Sequence, residues 1–143
     1  MIPLGPIKRL IVHHSASPLT TTIEDIQKWH VEENGWDDVG YHFVISQIGI
    51  VYRGRDLAYQ GAHVRGNNHD SIGVCLVGNN SEYLNVWTQE QVGALQRMWH
   101  SFKMLWRGIE VFGHRDIADG TECPGLDVRA LLLGPSSKKE WVK

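Results

Sequence analysis

Apolar residues recur along the chain with two periodicities, one typical of strands and one typical of helices. Short apolar runs at residues 9–13, 72–77 and 109–112 predict buried strands, and the run at 72–77 suits a central one. Tyr41, Phe43 and Ile45 alternate within residues 40–48, and Gly49 precedes a second apolar run at 50–53. This pattern predicts a strand pair around a tight turn.

Two longer segments combine helical spacing with a capping box. Thr21 and Glu24 form the first box, and residues 34–35 (Asn-Gly) supply a stop. Thr88 and Gln91 form the second box. The predicted buried stripes are Ile23, Ile26 and Trp29 or His30 in the first helix, and Val92, Leu95, Met98 or Trp99, Phe102 and Leu105 in the second. A short helix is predicted over residues 127–133.

Strands interleaved with two long helices indicate the α/β class. The expected architecture is a single-layer central mixed β-sheet flanked by helices. The 143 residues contain neither a low-complexity linker nor a repeat. We therefore expect one domain over residues 1–143, with a core at about 7–133 and a short C-terminal tail.

Charge and hydropathy exclude several classes of partner. The formal net charge of -2 provides no basic field for nucleic acid or anionic lipid. The sequence lacks an apolar stretch of about 18 residues, so stable membrane insertion is not expected. Pro3, Gly5 and Pro6 interrupt an N-terminal segment that is too short for a signal peptide. We expect a monomer synthesised in the cytoplasm without a signal peptide.

Candidate chemistry lies at the ends of the predicted strands. His13 ends the first strand, His114 follows the last, and Cys123 lies in a loop nine residues further on. Two imidazoles and a thiolate form a catalytic zinc set that leaves a fourth position open. This spacing is also compatible with hydrogen-bonded histidines and a loop thiol, or with a cysteine hydrolase that uses Cys123 and His114.

Five motifs occur in order: IVHHSA at 11–16, GWDDVGYHF at 35–43, GAH at 61–63, NHDSIGVCLVG at 68–78, and GHRD at 113–116 with TECPG at 121–125. Together they resemble the N-acetylmuramoyl-L-alanine amidases of the phage-lysozyme and peptidoglycan-recognition-protein type. The resemblance covers roughly residues 7–133. It implies a peptidoglycan-recognition-protein-like amidase fold, one Zn²⁺ per chain in an open groove, and hydrolysis of the amide between N-acetylmuramic acid and L-alanine.

The resemblance also implies roles for individual residues. It makes His13, His114 and Cys123 the zinc ligands. Adjacent strand residues point to opposite faces, so only one of His13 and His14 is expected to ligate the ion. The motif match chooses His13, and a register shift of one residue would exchange the two. Tyr41 matches the family's catalytic tyrosine, whose phenol can stabilise an oxyanion. Thr121 occupies the position of a second polar catalytic group, although one extra residue precedes it here. Cys75 matches a position that is not a ligand, and we expect it in the core.

Substrate contacts are implied at four residues: Gly35, Trp36, His63 and Arg65. In related recognition proteins, the Gly35-Trp36 pair accompanies binding of stem peptides that carry meso-diaminopimelate at their third position. Arg65 could pair with the extra carboxylate of that residue, or it could be a solvated loop charge. The other histidines are expected to be structural or exposed: His30, His42, His69 and His100.

The expected biological setting is that of a phage or prophage endolysin that lyses cells. Its substrate would be peptidoglycan or muropeptides in the periplasmic wall, which the protein would reach after release from the host cytoplasm. A non-catalytic peptidoglycan receptor is the rival class, but such receptors generally lack the cysteine ligand. Some phage members also inhibit a phage RNA polymerase, and the short MIPLGPIK start gives that role no support.

Overall fold

The computed structural model describes residues 1–81 and 86–134, so the predicted C-terminal tail lies outside the described residues. Its centre is a five-stranded sheet. The strands are β1 (Arg9–His14), β2 (Phe43–Ile45), β3 (Val51–Arg53), β4 (Ser71–Leu76) and β5 (Glu110–Gly113). Their order is β3-β2-β4-β1-β5, with β3 antiparallel to β2 and the other neighbours parallel. The predicted mixed sheet is confirmed, and the 72–77 run forms its middle strand.

Alternation along β4 explains why both faces of the sheet are covered. Val74 and Leu76 pack into the larger apolar cluster, on the same side as the long helix α2 (Gln89–Leu105). Cys75 and Val77 point the other way and pack with Ile26 and neighbouring apolar side chains. Because both faces are buried, every residue of β4 is buried. The prediction that Cys75 belongs to the core is confirmed.

The first helix begins one residue later than predicted. Helix α1 (Ile23–Gln27) is capped by Thr22, whose hydroxyl accepts from the Asp25 amide while the Asp25 carboxylate accepts from the Thr22 amide. The predicted box of Thr21 and Glu24 is therefore wrong. The Thr21 hydroxyl is nearly buried and donates to Ser17 Oγ at 2.8 Å. The helix continues as a π-helical turn over Lys28–Glu33.

The second helix confirms its predicted start and corrects one buried position. Thr88 and Gln91 form the capping box of α2. Leu105 is 67% exposed, however, because it is the last helical residue, and the extended Trp106 turns back against Phe102 instead. Within the described ranges, no helix combines the length and apolar character needed to cross a membrane.

Two short helices complete the described chain. Helix α3 (His114–Ile117) directly follows β5, and the Asp116 carboxylate accepts from the Gly113 amide at 2.7 Å. This helix was not predicted, because four residues are too few to show helical periodicity. Helix α4 (Val128–Leu133) confirms the predicted C-terminal helix, with Asp127 as its N-cap.

Candidate active site

Three side chains that could hold a metal ion meet where β1 and β5 end. His13 lies near the end of β1, His114 is the first residue of α3, and Cys123 lies in the loop that follows. One donor atom from each lies within 4.8 Å of the others. The Nδ1 atom of His13 is 3.8 Å from the Cys123 sulfur. Tetrahedral Zn²⁺ with ordinary bond lengths requires about 3.6 Å between a nitrogen and a sulfur ligand, so this pair of atoms fits the ion.

The Cys123 loop is fixed by backbone contacts rather than by side-chain packing alone. The His14 amide donates to the Cys123 sulfur at 3.4 Å, and the Arg115 amide donates to the Cys123 carbonyl at 2.7 Å. The His14 ring itself is used elsewhere, since its Nδ1 accepts from the Asn80 amide at 3.1 Å. His14 therefore contributes its main chain to this site, while His13 contributes its imidazole.

Burial determines the protonation of the three donors. It lowers the pKa of His13 well below the ordinary value and also lowers the pKa of His114, so both imidazoles are neutral and keep a lone pair. Burial raises the pKa of Cys123 to about 11. A nucleophilic cysteine requires the opposite shift, so this environment does not favour the cysteine-hydrolase alternative. A bound divalent cation would instead favour the thiolate.

Tyr41 lies beside the three donors, in the bend that precedes β2. Its ring centroid is 5.1 Å from that of His13. Burial raises the pKa of Tyr41 well above its ordinary value, which keeps the phenol protonated and able to donate a hydrogen bond. The backbone approach here is close, since a Cβ on Gly40 would lie 2.4 Å from the Ala62 carbonyl oxygen.

Thr121 lies in the same loop as Cys123, and its hydroxyl contacts the Cys123 backbone. Its oxygen accepts from the Cys123 amide at 3.1 Å, so the hydroxyl proton remains available to another acceptor. The side chain is partly exposed. Glu122, between these two residues, is exposed.

A neighbouring cleft brings together three of the residues implied in substrate contacts. Trp36, His63 and Arg65 line it, together with Ala62, Val64, Gly66 and Asn68. Trp36 is 37% exposed, and Gly35 before it has a φ of 72° with open space around its Cα. The position of Gly35 therefore combines a backbone shape that favours glycine with room beside the tryptophan.

His30 contributes to the site, although its sequence context suggested only a structural or exposed position. Its Nδ1 accepts from the Gly40 amide at 2.9 Å. Its ring contacts Trp36 and Tyr41, with centroid separations of 4.7 and 5.5 Å. The sequence signal was the helical spacing, which made His30 an alternative to Trp29 in the predicted buried stripe.

Arg55 is a second residue that the sequence did not single out. This nearly buried guanidinium donates to three backbone carbonyls, those of Asp38, Val39 and Gln60. The first two lie just before Tyr41, and the third lies just before the segment that carries His63. Arg55 therefore ties two site-forming loops together.

Sequence and structure comparisons agree on the relatives of this chain. Residues 3–126 match the family described as N-acetylmuramoyl-L-alanine amidase. The endolysin of Klebsiella phage KP32 is 38% identical over 126 residues, which cover 85% of this chain and 82% of that protein.

Two solved structures have a similar fold. The Ph2119 endolysin from a Thermus scotoductus bacteriophage superposes with a TM-score of 0.84 and 25% identity, covering 94% of this chain and 88% of the other. The bumblebee peptidoglycan-recognition protein SA gives a TM-score of 0.80 and 31% identity, covering 91% and 84%.

Proposed function

Since this chain belongs to the N-acetylmuramoyl-L-alanine amidase family and acts on peptidoglycan, we propose that His13, His114 and Cys123 hold one catalytic Zn²⁺. The observation that carries the proposal is the convergence of the three donor atoms within 4.8 Å. Two neutral imidazoles and one sulfur are a donor set that suits zinc and leaves one position open. The bond cleaved is the amide between N-acetylmuramic acid and the L-alanine of the stem peptide.

Zinc in this position would supply Lewis-acid chemistry, polarising the amide carbonyl and lowering the pKa of water. The protein's own contribution is to orient the ligands. The His14 amide at 3.4 Å holds the Cys123 sulfur in place and partly compensates for negative charge on it. The neighbouring imidazoles are kept neutral by burial, so they coordinate rather than repel a cation.

Tyr41 and Thr121 are the proposed donors to the oxyanion that forms as the amide is attacked. The Tyr41 phenol is protonated and its ring lies 5.1 Å from that of His13, which supports a donor at this position. The Thr121 hydroxyl accepts from the Cys123 amide, and this bond leaves its own O–H able to donate to an oxyanion. Both hydroxyl groups therefore carry the proton that a hydrogen bond to the oxyanion requires.

The proposed stem-peptide subsite is the cleft lined by Trp36, His63 and Arg65, with Gly35 at its edge. Trp36 offers an aromatic wall that is held against His30. Arg65 is exposed and could form a bidentate contact with the carboxylate that distinguishes meso-diaminopimelate from lysine. We therefore propose a preference for diaminopimelate-type peptidoglycan.

In its biological setting, we propose a phage or prophage endolysin. Its similarity to the KP32 endolysin supports this role. The protein would be made in the host cytoplasm and would degrade the periplasmic wall, causing lysis, after release. We propose that it acts as a monomer without nucleic acid or membrane partners.

The test is to digest purified peptidoglycan and to identify the products by mass spectrometry. The expected products are free stem peptides that begin with L-alanine and glycan chains that retain intact N-acetylmuramic acid. Treatment with a chelator should abolish this activity, and one equivalent of Zn²⁺ should restore it. Full activity in protein shown to be free of metal would contradict the zinc proposal.

A further inference from the structure

Beyond the ligands themselves, a chain of hydrogen bonds runs from His13 through His63 and Ser71 to the Asn67 carbonyl. We propose that His63 and Ser71 are positioning residues that fix the tautomer and ring orientation of His13. This inference rests on the proposed zinc site. In this proposal His63 orients the zinc ligand His13, in addition to any contact that it makes with substrate.

The hydrogen bond between Ser71 and Asn67 determines which atom donates at each step of this hydrogen-bond chain. The Ser71 hydroxyl lies 2.7 Å from the Asn67 carbonyl oxygen, and a carbonyl can only accept. Ser71 has a single hydroxyl proton, which this bond uses. Toward the His63 ring, the Ser71 oxygen can therefore only accept.

This constraint passes through both rings. His63 Nε2 lies 3.3 Å from Ser71 Oγ, so Nε2 carries the proton that it donates. In a neutral ring, His63 Nδ1 then bears a lone pair and accepts from His13 Nε2 at 2.9 Å. The proton of His13 is thereby held on Nε2. Its Nδ1 lone pair is left facing the Cys123 sulfur, 3.8 Å away, on the side where the metal donors converge.

A doubly protonated His63 would break this chain, and its surroundings disfavour it. The ring lies against two other imidazoles, those of His13 and His42. Throughout residues 1–81 and 86–134, no carboxylate hydrogen-bonds to it. A cation buried beside neutral rings and without a counter-ion is costly.

The His63 ring is also held mechanically, because two glycines make room for it. A Cβ on Gly73 would lie 2.6 Å from the His63 ring, and a Cβ on Gly61 would lie equally close. The Asn68 side-chain oxygen accepts from the amides of His63 and Val64 at 3.1 and 3.0 Å, which fixes the backbone of the loop. Because the His63 ring is confined in this way, its hydrogen bond with His13 restrains the orientation of the His13 ring.

Two-bond ¹⁵N–¹H correlation spectra of the zinc-free protein test the tautomers directly. We expect both His13 and His63 as Nε2–H tautomers. His42 is an internal reference, because its Nδ1 accepts from the Gly73 amide and its Nε2 donates to the Tyr59 carbonyl. In Ser71→Ala, His63 should become a mixture of tautomers. A pure Nδ1–H form of His63 in the wild type would overturn the proposal.

Zinc affinity, measured by competition with a chromophoric chelator, tests the consequence for the ligand. His63→Leu should weaken the zinc Kd by roughly 10- to 100-fold, as is usual when the outer hydrogen-bond partner of a ligating histidine is lost. Ser71→Ala should weaken it by roughly 3- to 10-fold, the scale of one hydrogen bond. His63→Asn, which can place an acceptor oxygen near the Nδ1 position, should recover most of the affinity.

A matched control is His100→Leu, on the exposed face of α2, which should leave the zinc Kd unchanged. Wild-type affinity in both His63→Leu and Ser71→Ala would overturn the positioning role even though zinc binds. Equal losses in His63→Asn and His63→Leu would also overturn it, because the acceptor would then be irrelevant. A wild type that binds no zinc would instead refute the proposed zinc site, while the tautomer spectra would still test the hydrogen-bond chain.

Discussion

The backbone amide of His14 points at the sulfur of Cys123 from a distance of 3.4 Å. Strand β1 thus contributes to the site twice, through the imidazole of His13 and through the main chain of the next residue. Because adjacent strand residues face opposite ways, the His14 ring is directed to the Asn80 amide and does not compete for a metal. The position of the sulfur is therefore coupled to the same strand that carries the first imidazole.

Replacing the sulfur ligand should remove the metal. We expect Cys123→Ser to weaken zinc binding by orders of magnitude and to abolish amidase activity, because serine is a poor zinc ligand near neutral pH. The matched control is Cys75→Ala, which removes a fully buried thiol from the apolar cluster and should retain one zinc per chain. Metal analysis by mass spectrometry measures the zinc content of both variants. Stoichiometric zinc with full turnover in Cys123→Ser would show that the ligand assignment is wrong.

Removing the Tyr41 hydroxyl should affect the rate but not metal binding. Tyr41→Phe keeps the ring beside His13 and loses only the donor, so we expect normal folding, normal zinc content and a fall in kcat of roughly 10²-fold or more. Steady-state kinetics on purified peptidoglycan provide the measurement. Wild-type turnover in this variant would show that the Tyr41 hydroxyl does not take part in catalysis and that the residue only packs.

The proposed stem-peptide subsite predicts a substrate preference. Diaminopimelate-type muropeptides should be cleaved with a higher kcat/KM than lysine-type muropeptides. Arg65→Ala should narrow that difference by roughly 1 to 3 kcal/mol, the usual contribution of a charge-assisted hydrogen bond. Arg107→Ala, at an exposed position after α2, is the control and should preserve the ratio. Equal kcat/KM values in the wild type would disprove the preference, and an unchanged ratio in Arg65→Ala would remove that residue from substrate recognition.

The buried guanidinium of Arg55 should matter for stability. Arg55→Met leaves the carbonyls of two loops without their donor, so we expect the free energy of unfolding to fall by roughly 2 to 4 kcal/mol. Arg53→Met is a matched control, since that side chain is 75% exposed and should change stability little. Urea denaturation of both variants gives the comparison. Equal stabilities would mean that the three hydrogen bonds contribute nothing.

Acid should destabilise the zinc-free protein before its carboxylates titrate. Burial lowers the pKa of His13, His14 and His114, and it lowers the pKa of His63 from 6.5 to about 3. Between those values the unfolded chain binds protons that the folded chain does not bind. The contribution of these neutral histidines to the free energy of unfolding is therefore complete above about pH 6.5. As the pH drops below that value, the free energy of unfolding falls by about 1.4 kcal/mol per pH unit for each such proton.

Urea denaturation of chelator-treated protein at pH 7.5, 6.0 and 5.0 measures this slope. His63→Asn removes one of the contributing groups, so its slope should be shallower than that of the wild type. A free energy of unfolding that does not change over this interval would contradict neutral, buried histidines in the folded protein.

Local sequence patterns determined much of the framework, because they reflect interactions between residues close together in the chain. Strand β4 was predicted from an uninterrupted apolar run, and the start of α2 was predicted from the reciprocal bonds of Thr88 and Gln91. The candidate ligands came from ordered motifs that resemble a known family. The helix cap was predicted wrongly, at Thr21 instead of Thr22. In the structure the Thr21 hydroxyl donates to Ser17, a contact that the capping pattern does not indicate.

The tertiary structure alone decided how the site is supported. The bond between His13 and His63 spans 50 residues, and the contact between Cys123 and His14 spans 109. Arg55 reaches three carbonyls that no periodicity in the sequence connects. Hydrogen-bond direction depends on which polar groups meet, and burial sets the pKa of each group. Both arise only when distant segments pack together, so a single sequence can indicate the ligands but not the contacts that orient them.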